Sequence, residues 1–405
     1  MIESPVPIPS ASVPAGAVGW SSGDAWEWVR ARPAGWARPL WAVLAVLASL
    51  VWAFAVEPVP VCSEAVPCGP DWGGMAQLGL AVGLVYWTAR GSDLVLVAAP
   101  LLAVSVGLTE VPGADAASAV ANLGVIAAVG LCWAGARERV AARRRQRELA
   151  LRAAGEARHP LPASVMPLRR GTVLIAVGAT LCGLAVWAVG MGLGGIRADE
   201  RRADAAVAVE AEVVARHDLS LRVRLDGTRT VTVDALFPEH YPVGGTVTVL
   251  EDGTWRRLVA EPYDAFDWQL LVLVAGLPGL SLLGSGLLAR RRAVALRRAP
   301  VPALRVLERL GEDGLVRVYA ADDVAGSDPV LVCDRVFAVR VAGPGESVVA
   351  DPRAVEPRLR EAVLFGAPHD GGELVLVTTG APPHPVRVRG HARARAGAPV
   401  PWGGR

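Results

Sequence analysis

Residues 171–196 form one uninterrupted apolar run, GTVLIAVGATLCGLAVWAVGMGLGGI, without Asp, Glu or Arg. The hydrocarbon core of a bilayer requires about 20 mostly apolar helical residues, because backbone groups there cannot bond to water. Five further stretches share this property. They cover residues 39–56, 72–89, 94–109, 116–136 and 268–289. The pattern predicts a membrane protein with a six-span α-helical bundle.

The third of these stretches is the shortest, and it contains Pro100. Only the four residues from Arg90 to Asp93 join it to the second stretch. The two stretches therefore form either two full spans or a re-entrant hairpin. Both alternatives keep an even number of crossings.

The distribution of arginine orients the spans, since loops that stay in the cytoplasm carry an excess of positive residues. Residues 137–170 hold ten arginines, and five more follow the last span, whereas the loops 57–71 and 110–115 hold carboxylates and no arginine. Residues 197–267 are net acidic, with nine arginines and fourteen carboxylates. We expect a plasma-membrane protein with both termini in the cytoplasm and residues 197–267 outside.

Two polar segments show the period-two alternation of β-strands. Residues 203–262 predict about five strands in a small barrel or sandwich, with a turn at Asp226-Gly227. Residues 290–390 predict a mainly β cytoplasmic C-terminal module. In the first of these, the small all-β outer module, the predicted core residues are Leu221, Val223, Leu225, Val231, Val233, Val247 and Val249.

The remaining segments lack such patterns. Residues 1–38 are rich in Pro, Ser, Ala and Trp, and they predict a disordered cytoplasmic N-terminus without a cleaved signal peptide. Residues 391–405 read as a loose tail. Residues 137–170 form a basic cytoplasmic loop, whose part 137–158 is either an amphipathic helix on the inner leaflet or a solvated extension of the fourth span. No aromatic platform accompanies these arginines, so nucleic acid is not an expected partner.

The region 172–290 combines a span, a β module and a second span. Its β module contains the segment Tyr241-Pro242-Val243-Gly244-Gly245-Thr246-Val247-Thr248-Val249. This arrangement resembles a widespread bacterial family of uncharacterised multi-pass membrane proteins that carry a small β domain between transmembrane helices. The segment continues with Leu250-Glu251-Asp252-Gly253, where that family often has an aromatic residue and a proline. The resemblance implies a fold and no known reaction.

Cysteine supplies the one predicted covalent site. Cys62 and Cys68 lie in the proline-rich loop 57–71, on the predicted outer side, where thiols are oxidised. A structural disulfide between them is expected rather than a redox site, because the C-x-x-C spacing of redox motifs is absent. Cys132, Cys182 and Cys333 read as small buried apolar residues.

Metal-type side chains cluster in three places, at His217-Asp218, Glu239-His240-Tyr241 and His369-Asp370. No H-E-x-x-H or C-x-x-C spacing accompanies them, so turn and surface roles are expected and no metal or cofactor is predicted.

All 41 positively charged side chains are arginine. A chain without lysine cannot supply a Walker A lysine, the strand lysine of a kinase or a pyridoxal Schiff base. The same usage, with abundant Ala, Gly, Val and Pro, indicates a GC-rich bacterial genome.

The span interiors offer only weakly polar groups such as Ser105, Asn122, Thr180 and Ser285, which disfavours a secondary transporter. Pro278, with Gly276 and Gly279, reads as a packing feature of the last span. We therefore expect a non-enzymatic envelope protein without catalytic residues. Its two β modules would bind partners, such as other envelope proteins, and its helices the lipid bilayer. A passive channel or a transporter component is the alternative.

Overall fold

The computed structural model describes residues 4–57, 61–90, 93–162, 171–225, 227–311, 313–335, 358–379 and 381–391. The chain divides into two units. The first, here called the barrel unit, consists of residues 1–38, 134–172 and 285–405. The second, the span unit, consists of residues 39–133 and 173–284. Each unit is described by itself.

The described residues form seven α-helices and twelve β-strands. The helices are α1 (Ser22–Arg30), α2 (Pro39–Val56), α3 (Trp72–Ala89), α4 (Val95–Thr109), α5 (Ala116–Ala153), α6 (Thr172–Ala205) and α7 (Phe266–Arg298). The strands are β1 (Val18–Gly19), β2 (Val207–His217), β3 (Ser220–Leu225), β4 (Arg229–Asp234), β5 (Thr246–Asp252), β6 (Trp255–Leu258), β7 (Ala303–Leu310), β8 (Val316–Tyr319), β9 (Leu331–Arg335), β10 (Arg360–Phe365), β11 (Glu373–Thr378) and β12 (Ala381–His391).

Four of the helices, α2, α5, α6 and α7, are long and apolar enough to cross a membrane. This length and composition are those of a membrane protein. Helix α4 is apolar but has only 15 residues, and α3 has 18 residues with Gln77 in its second turn. Of the six predicted spans, the structure thus gives four as membrane-length apolar helices, together with the less apolar α3 and the shorter α4 at the predicted positions.

The basic segment after the fourth span is helical over most of its described length. Helix α5 continues through residues 137–153, because Ala, Arg, Glu and Gln all favour helix and no Gly or Pro interrupts them. The helix ends just before Gly155, whose φ of +66° is the left-handed conformation that closes many helices. Both alternatives for residues 137–158 are helical, and the structure has helix over residues 137–153; residues 163–170 lie outside the described part of the chain.

In the barrel unit, six strands close into a ring in the order β7, β10, β11, β12, β9, β8 and back to β7. All six neighbours in this ring pair antiparallel. Closure leaves no free edge among these strands. The predicted mainly β module is thus a small barrel in its described part, and the predicted strand residues 336–342 lie outside the described residues, as does the predicted tail after His391.

The N-terminal segment belongs to this barrel unit. Strand β1 adds to β7 in parallel, with Val18 opposite Leu304. Trp20 and Trp28 are fully buried and share one hydrophobic core with Ala150 of α5 and with strand residues of the barrel. Burying two indoles and a helix face offsets the entropy of ordering the segment. The prediction of a disordered N-terminus therefore differs from the structure over residues 4–38.

In the span unit, helices α6 and α7 approach closely at small residues. A Cβ atom on Gly178 would lie 2.5 Å from the backbone nitrogen of Leu283 and 2.9 Å from the carbonyl oxygen of Gly279. Small residues at helix contacts allow this distance between backbones in membranes. Gly279, next to Pro278, thus has the packing role that its position in the last span predicted.

The same unit contains a five-stranded antiparallel sheet in the order β4, β3, β2, β5, β6. Its core contains all seven predicted residues: five are buried, and Val231 and Val247 pack against them. The predicted number of strands and the predicted core are confirmed. The period-two alternation of β3 is exact, because Leu221, Val223 and Leu225 are completely buried.

Candidate functional site

The loop between α2 and α3 packs onto the five-stranded sheet. The backbone NH of Cys68 donates to the carbonyl oxygen of Ala260 at 2.9 Å, and the NH of Cys62 donates to Nδ1 of His240 at 3.4 Å. The sulfur atoms of Cys62 and Cys68 are 2.06 Å apart, within a disulfide. The loop is therefore held to the sheet at both cysteines.

Glu64, inside this disulfide loop, covers part of a strand edge. Its Oε1 atom accepts a hydrogen bond of 3.0 Å from the backbone NH of Thr248 in β5. Thr248 lies just beyond the residue pairs of β5 with β6, which begin at Val249 and Leu258, so the carboxylate supplies an acceptor for this strand NH. The loop is therefore bonded to β5 as well.

A buried carboxylate fixes the segment that follows β4. Glu261 is 6% exposed, and its side chain accepts hydrogen bonds from the backbone NH groups of Leu236 and Phe237. Tyr241 lies in the core of the five-stranded sheet. Its burial and the neighbouring Glu261 carboxylate raise the pKa of its phenol above the usual range. The Glu261 carboxylate thus holds the backbone of residues 236–237 in place.

The side chains carried by these anchored loops are apolar and exposed. We define the apolar loop surface as Val61 (64% exposed), Val66 (66%), Leu219 (68%), Leu236 (39%) and Phe237 (40%). Side chains of this kind on fixed loops are available for contact with another molecule.

Direct contacts join the loops of this surface. The NH of Ala235 donates to the carbonyl of Leu219 at 3.1 Å. The rings of Phe237 and His240 stack with centroids 5.2 Å apart, and His240 accepts from the disulfide loop. The three loops therefore form one connected structure.

An ion pair attaches the sheet to its helices. Arg257 of β6 pairs with Asp199 of α6, and both side chains are largely buried. Asp199 also accepts from the NH of Tyr263 at 3.3 Å, and the hydroxyl of Tyr263 accepts from the indole NH of Trp268 at 3.3 Å. The sheet is thus connected to α6 and α7 at the polar ends of these apolar helices.

Several polar side chains of the span-unit helices bond across neighbouring helices. The amide of Gln77 donates to Oγ of Ser105 at 2.9 Å and to Oγ1 of Thr109 at 2.7 Å. The indole NH of Trp87 donates to Oγ of Ser281 at 2.7 Å. Such bonds connect helices.

A second connected region lies in the barrel unit, at the turn 366–372 between β10 and β11. The indole NH of Trp28 donates to the carbonyl of Pro368 at 2.8 Å, the NH of Asp370 donates to the side chain of Gln146 at 2.9 Å, and Nη1 of Arg292 donates to the carbonyl of Gly371 at 2.9 Å. Helices α1, α5 and α7 therefore all bond to this single turn.

The structure places the other predicted residues apart from one another. His217, the last residue of β2, and Asp218, in the turn that follows, are both exposed. His369 lies at the turn of the barrel, where its Nδ1 atom is 2.9 Å from the carbonyl of Ala367. Burial lowers the pKa of His369, and nearby arginines lower it further. In the described part of the chain, no three His, Cys, Asp or Glu side chains come close enough to hold a metal ion.

Among the three other cysteines, Cys132 and Cys333 are buried and Cys182 is partly buried. Burial raises the pKa of the Cys333 thiol to about 12, with a smaller contribution from Asp334. Such a thiol is unreactive at neutral pH.

Sequence reasoning missed the two connected regions. The turn 366–372 carried no apolar pattern, but Ala142, Gln146 and Ala150 repeat at helical spacing along α5 and are buried together. That spacing was the available signal for a packed helix face. The exposed residues Leu219 and Phe237 lie outside the strands, where no periodicity marks them.

Comparison with known proteins adds no relative. No family model, no curated protein and no solved structure matches the chain.

Proposed function

We propose that the chain is a plasma-membrane scaffold that has no catalytic activity and binds a protein partner through the apolar loop surface. The observation that carries the proposal is the anchoring of exposed Leu236 and Phe237 by the buried carboxylate of Glu261. Exposed apolar side chains cost free energy in water, whereas a rigid apolar surface loses little entropy when a partner covers it.

The proposed topology has six crossings, with α3 and α4 as a pair of crossings between α2 and α5. Both termini and the barrel unit then lie in the cytoplasm, and the five-stranded sheet and the disulfide loop lie outside. The arginine asymmetry supports this orientation. The proposal also includes membership of the bacterial family that the region 172–290 resembles.

The polar pairs among the helices favour the scaffold over the channel. Gln77, Ser105 and Thr109 satisfy each other, as do Trp87 and Ser281. A pore needs such groups directed at water along a continuous path. Flux of small solutes through liposomes that contain the purified chain would favour the channel instead.

Photo-cross-linking in native membranes tests the scaffold. A photoreactive residue at position 219 or 237 should give one discrete protein adduct, whereas the same residue at position 222, on the exposed face of β3, should give none. Adducts with lipid alone, or the same protein from all three positions, would contradict a partner site at the apolar loop surface.

A reporter enzyme that is active only outside the membrane tests the topology separately. Fused at position 227 it should be active, and fused at position 314 it should be inactive.

A further inference from the structure

The last turns of α7 carry an arginine-rich face next to a cavity. The cavity has a volume of about 440 Å³, and its described lining residues all belong to α7. They are Leu287, Arg290, Arg291, Val294, Ala295 and Arg298. Their spacing of three and four residues places them on one side of the helix. This side combines three guanidinium groups with apolar side chains.

The orientation of this face is set by the other side of the helix. Arg292 donates to the carbonyl of Gly371 at 2.9 Å, Ala293 is 1% exposed, and Leu296 packs against a core cluster of the barrel unit. These contacts hold one side of α7 on the barrel unit. The arginine-rich face is consequently exposed, with Leu287 at 45% and Val294 at 37%.

The charges of this face lack acidic partners within the described residues. Arg290, Arg291 and Arg298 take part in no ion pair there. Three guanidinium groups at such spacing repel one another, and an anion with several oxygen atoms reduces that repulsion while accepting their hydrogen bonds. The arrangement therefore favours a ligand with several anionic oxygen atoms, such as a phosphate group.

Two features distinguish a lipid phosphate from a soluble one. The face begins within the apolar stretch 268–289, where the membrane-length helix meets its polar extension. Leu287 and Val294 alternate with the arginines, so the same groove offers contacts for an acyl chain and for a headgroup. Basic pockets at the ends of transmembrane helices bind anionic headgroups in this way.

We propose that this face of α7 is a binding site for an anionic phospholipid, with the headgroup phosphate at Arg290, Arg291 and Arg298 and an acyl chain along Leu287 and Val294. The site requires that α7 crosses the membrane, and it is independent of the partner that binds the apolar loop surface. A lipid bound here would lie next to the helix side that carries the barrel unit.

Native mass spectrometry of the full chain in detergent tests the site with dioctanoyl phosphatidylglycerol, dioctanoyl phosphatidylcholine and inorganic phosphate as probes. Replacing Arg290, Arg291 and Arg298 with Gln should weaken phosphatidylglycerol binding by about tenfold or more. A matched control replaces Arg144, Arg152 and Arg297 with Gln, which removes the same charge from exposed helix positions outside the lining, and it should change binding by less than about twofold.

Replacing the three lining arginines with Lys keeps the charge that directs topology, and it should retain most of the binding. Equal losses in the lining and control variants would overturn the site, because they indicate diffuse attraction. Equal binding of phosphatidylcholine would overturn the requirement for an anion, and binding of inorganic phosphate as tight as that of phosphatidylglycerol would overturn the lipid. If the Gln variant does not fold, a Leu287→Asn variant carries the test, and undiminished affinity for phosphatidylglycerol in it would overturn the proposal.

Discussion

The indole NH of Trp28 donates a 2.8 Å hydrogen bond to the carbonyl oxygen of Pro368, across 340 positions of sequence. Trp28 is fully buried, so this bond satisfies an acceptor that water cannot reach. The N-terminal helix is therefore a structural part of the barrel unit.

Replacing Trp28 with Phe should lower the stability of the barrel unit by about 2 kcal/mol or more, because it leaves a buried carbonyl without a donor and opens a small cavity. Trp26, on the same helix, is 58% exposed, and Trp26→Phe is the matched control. Protease resistance of the full chain across a thermal gradient measures both. Equal midpoints for the two variants would mean that the buried indole adds nothing.

Glu308 and Arg360 face each other across β7 and β10 and form a 2.7 Å ion pair in which the glutamate is completely buried. Replacing Glu308 with Ala should cost about 3 to 5 kcal/mol, since the remaining guanidinium loses its buried partner. Replacing both with Leu and Met should restore most of the loss. The exposed pair of Arg317 and Asp313 is the control, and Asp313→Asn should have little effect. If Glu308→Ala lost little stability, water would have to reach the Arg360 guanidinium, and the pair would not be buried as assigned.

Val223 lies in the core of the five-stranded sheet, and neighbouring Arg222 is exposed. Replacing Val223 with Asp should destabilise the sheet by several kcal/mol, because a lone carboxylate cannot be buried in so small a core. Replacing Arg222 with Asp should change little. Protease cleavage within residues 207–258 of the full chain reports the difference, and similar cleavage of both variants would contradict the assigned faces.

Replacing Cys62 and Cys68 together with Ser should lower the stability of the sheet and its attached loop by about 2 kcal/mol, the cost expected from releasing a short closed loop. The mass of the unreduced peptide that contains both cysteines reports the bond directly. A peptide that carries two free thiols in protein isolated from membranes would rule the disulfide out.

His369 should make the barrel unit less stable in acid. Burial, followed by Arg147, Arg292 and Arg143, lowers its pKa below the ordinary 6.5. The unfolded chain therefore binds the proton more readily, and stability is lost as the pH falls through about 6.5 toward the folded pKa. His369→Asn should flatten the profile between about pH 7.5 and pH 5.5. Exposed His217→Asn is the control, and an unchanged slope in His369→Asn would assign the effect to another group.

The sequence predicted the features that depend on local pattern. Long apolar runs located four membrane-length helices and the two further helices α3 and α4, and strict alternation around Leu221 and Val223 identified a buried strand face. The proline-rich loop predicted the pairing of Cys62 with Cys68, which the structure places in a disulfide. Each of these inferences uses one continuous stretch of sequence, where side-chain period follows from backbone geometry.

The sequence by itself thus determined the apolar helices, the two β modules and the faces of the strands. Only the tertiary structure decided that residues 4–38 are ordered and that the turn 366–372 bonds to Trp28, Gln146 and Arg292. These features depend on contacts between residues that are far apart in sequence. Their stability comes from burial and hydrogen bonds between distant residues, which the local spacing of apolar side chains does not reveal.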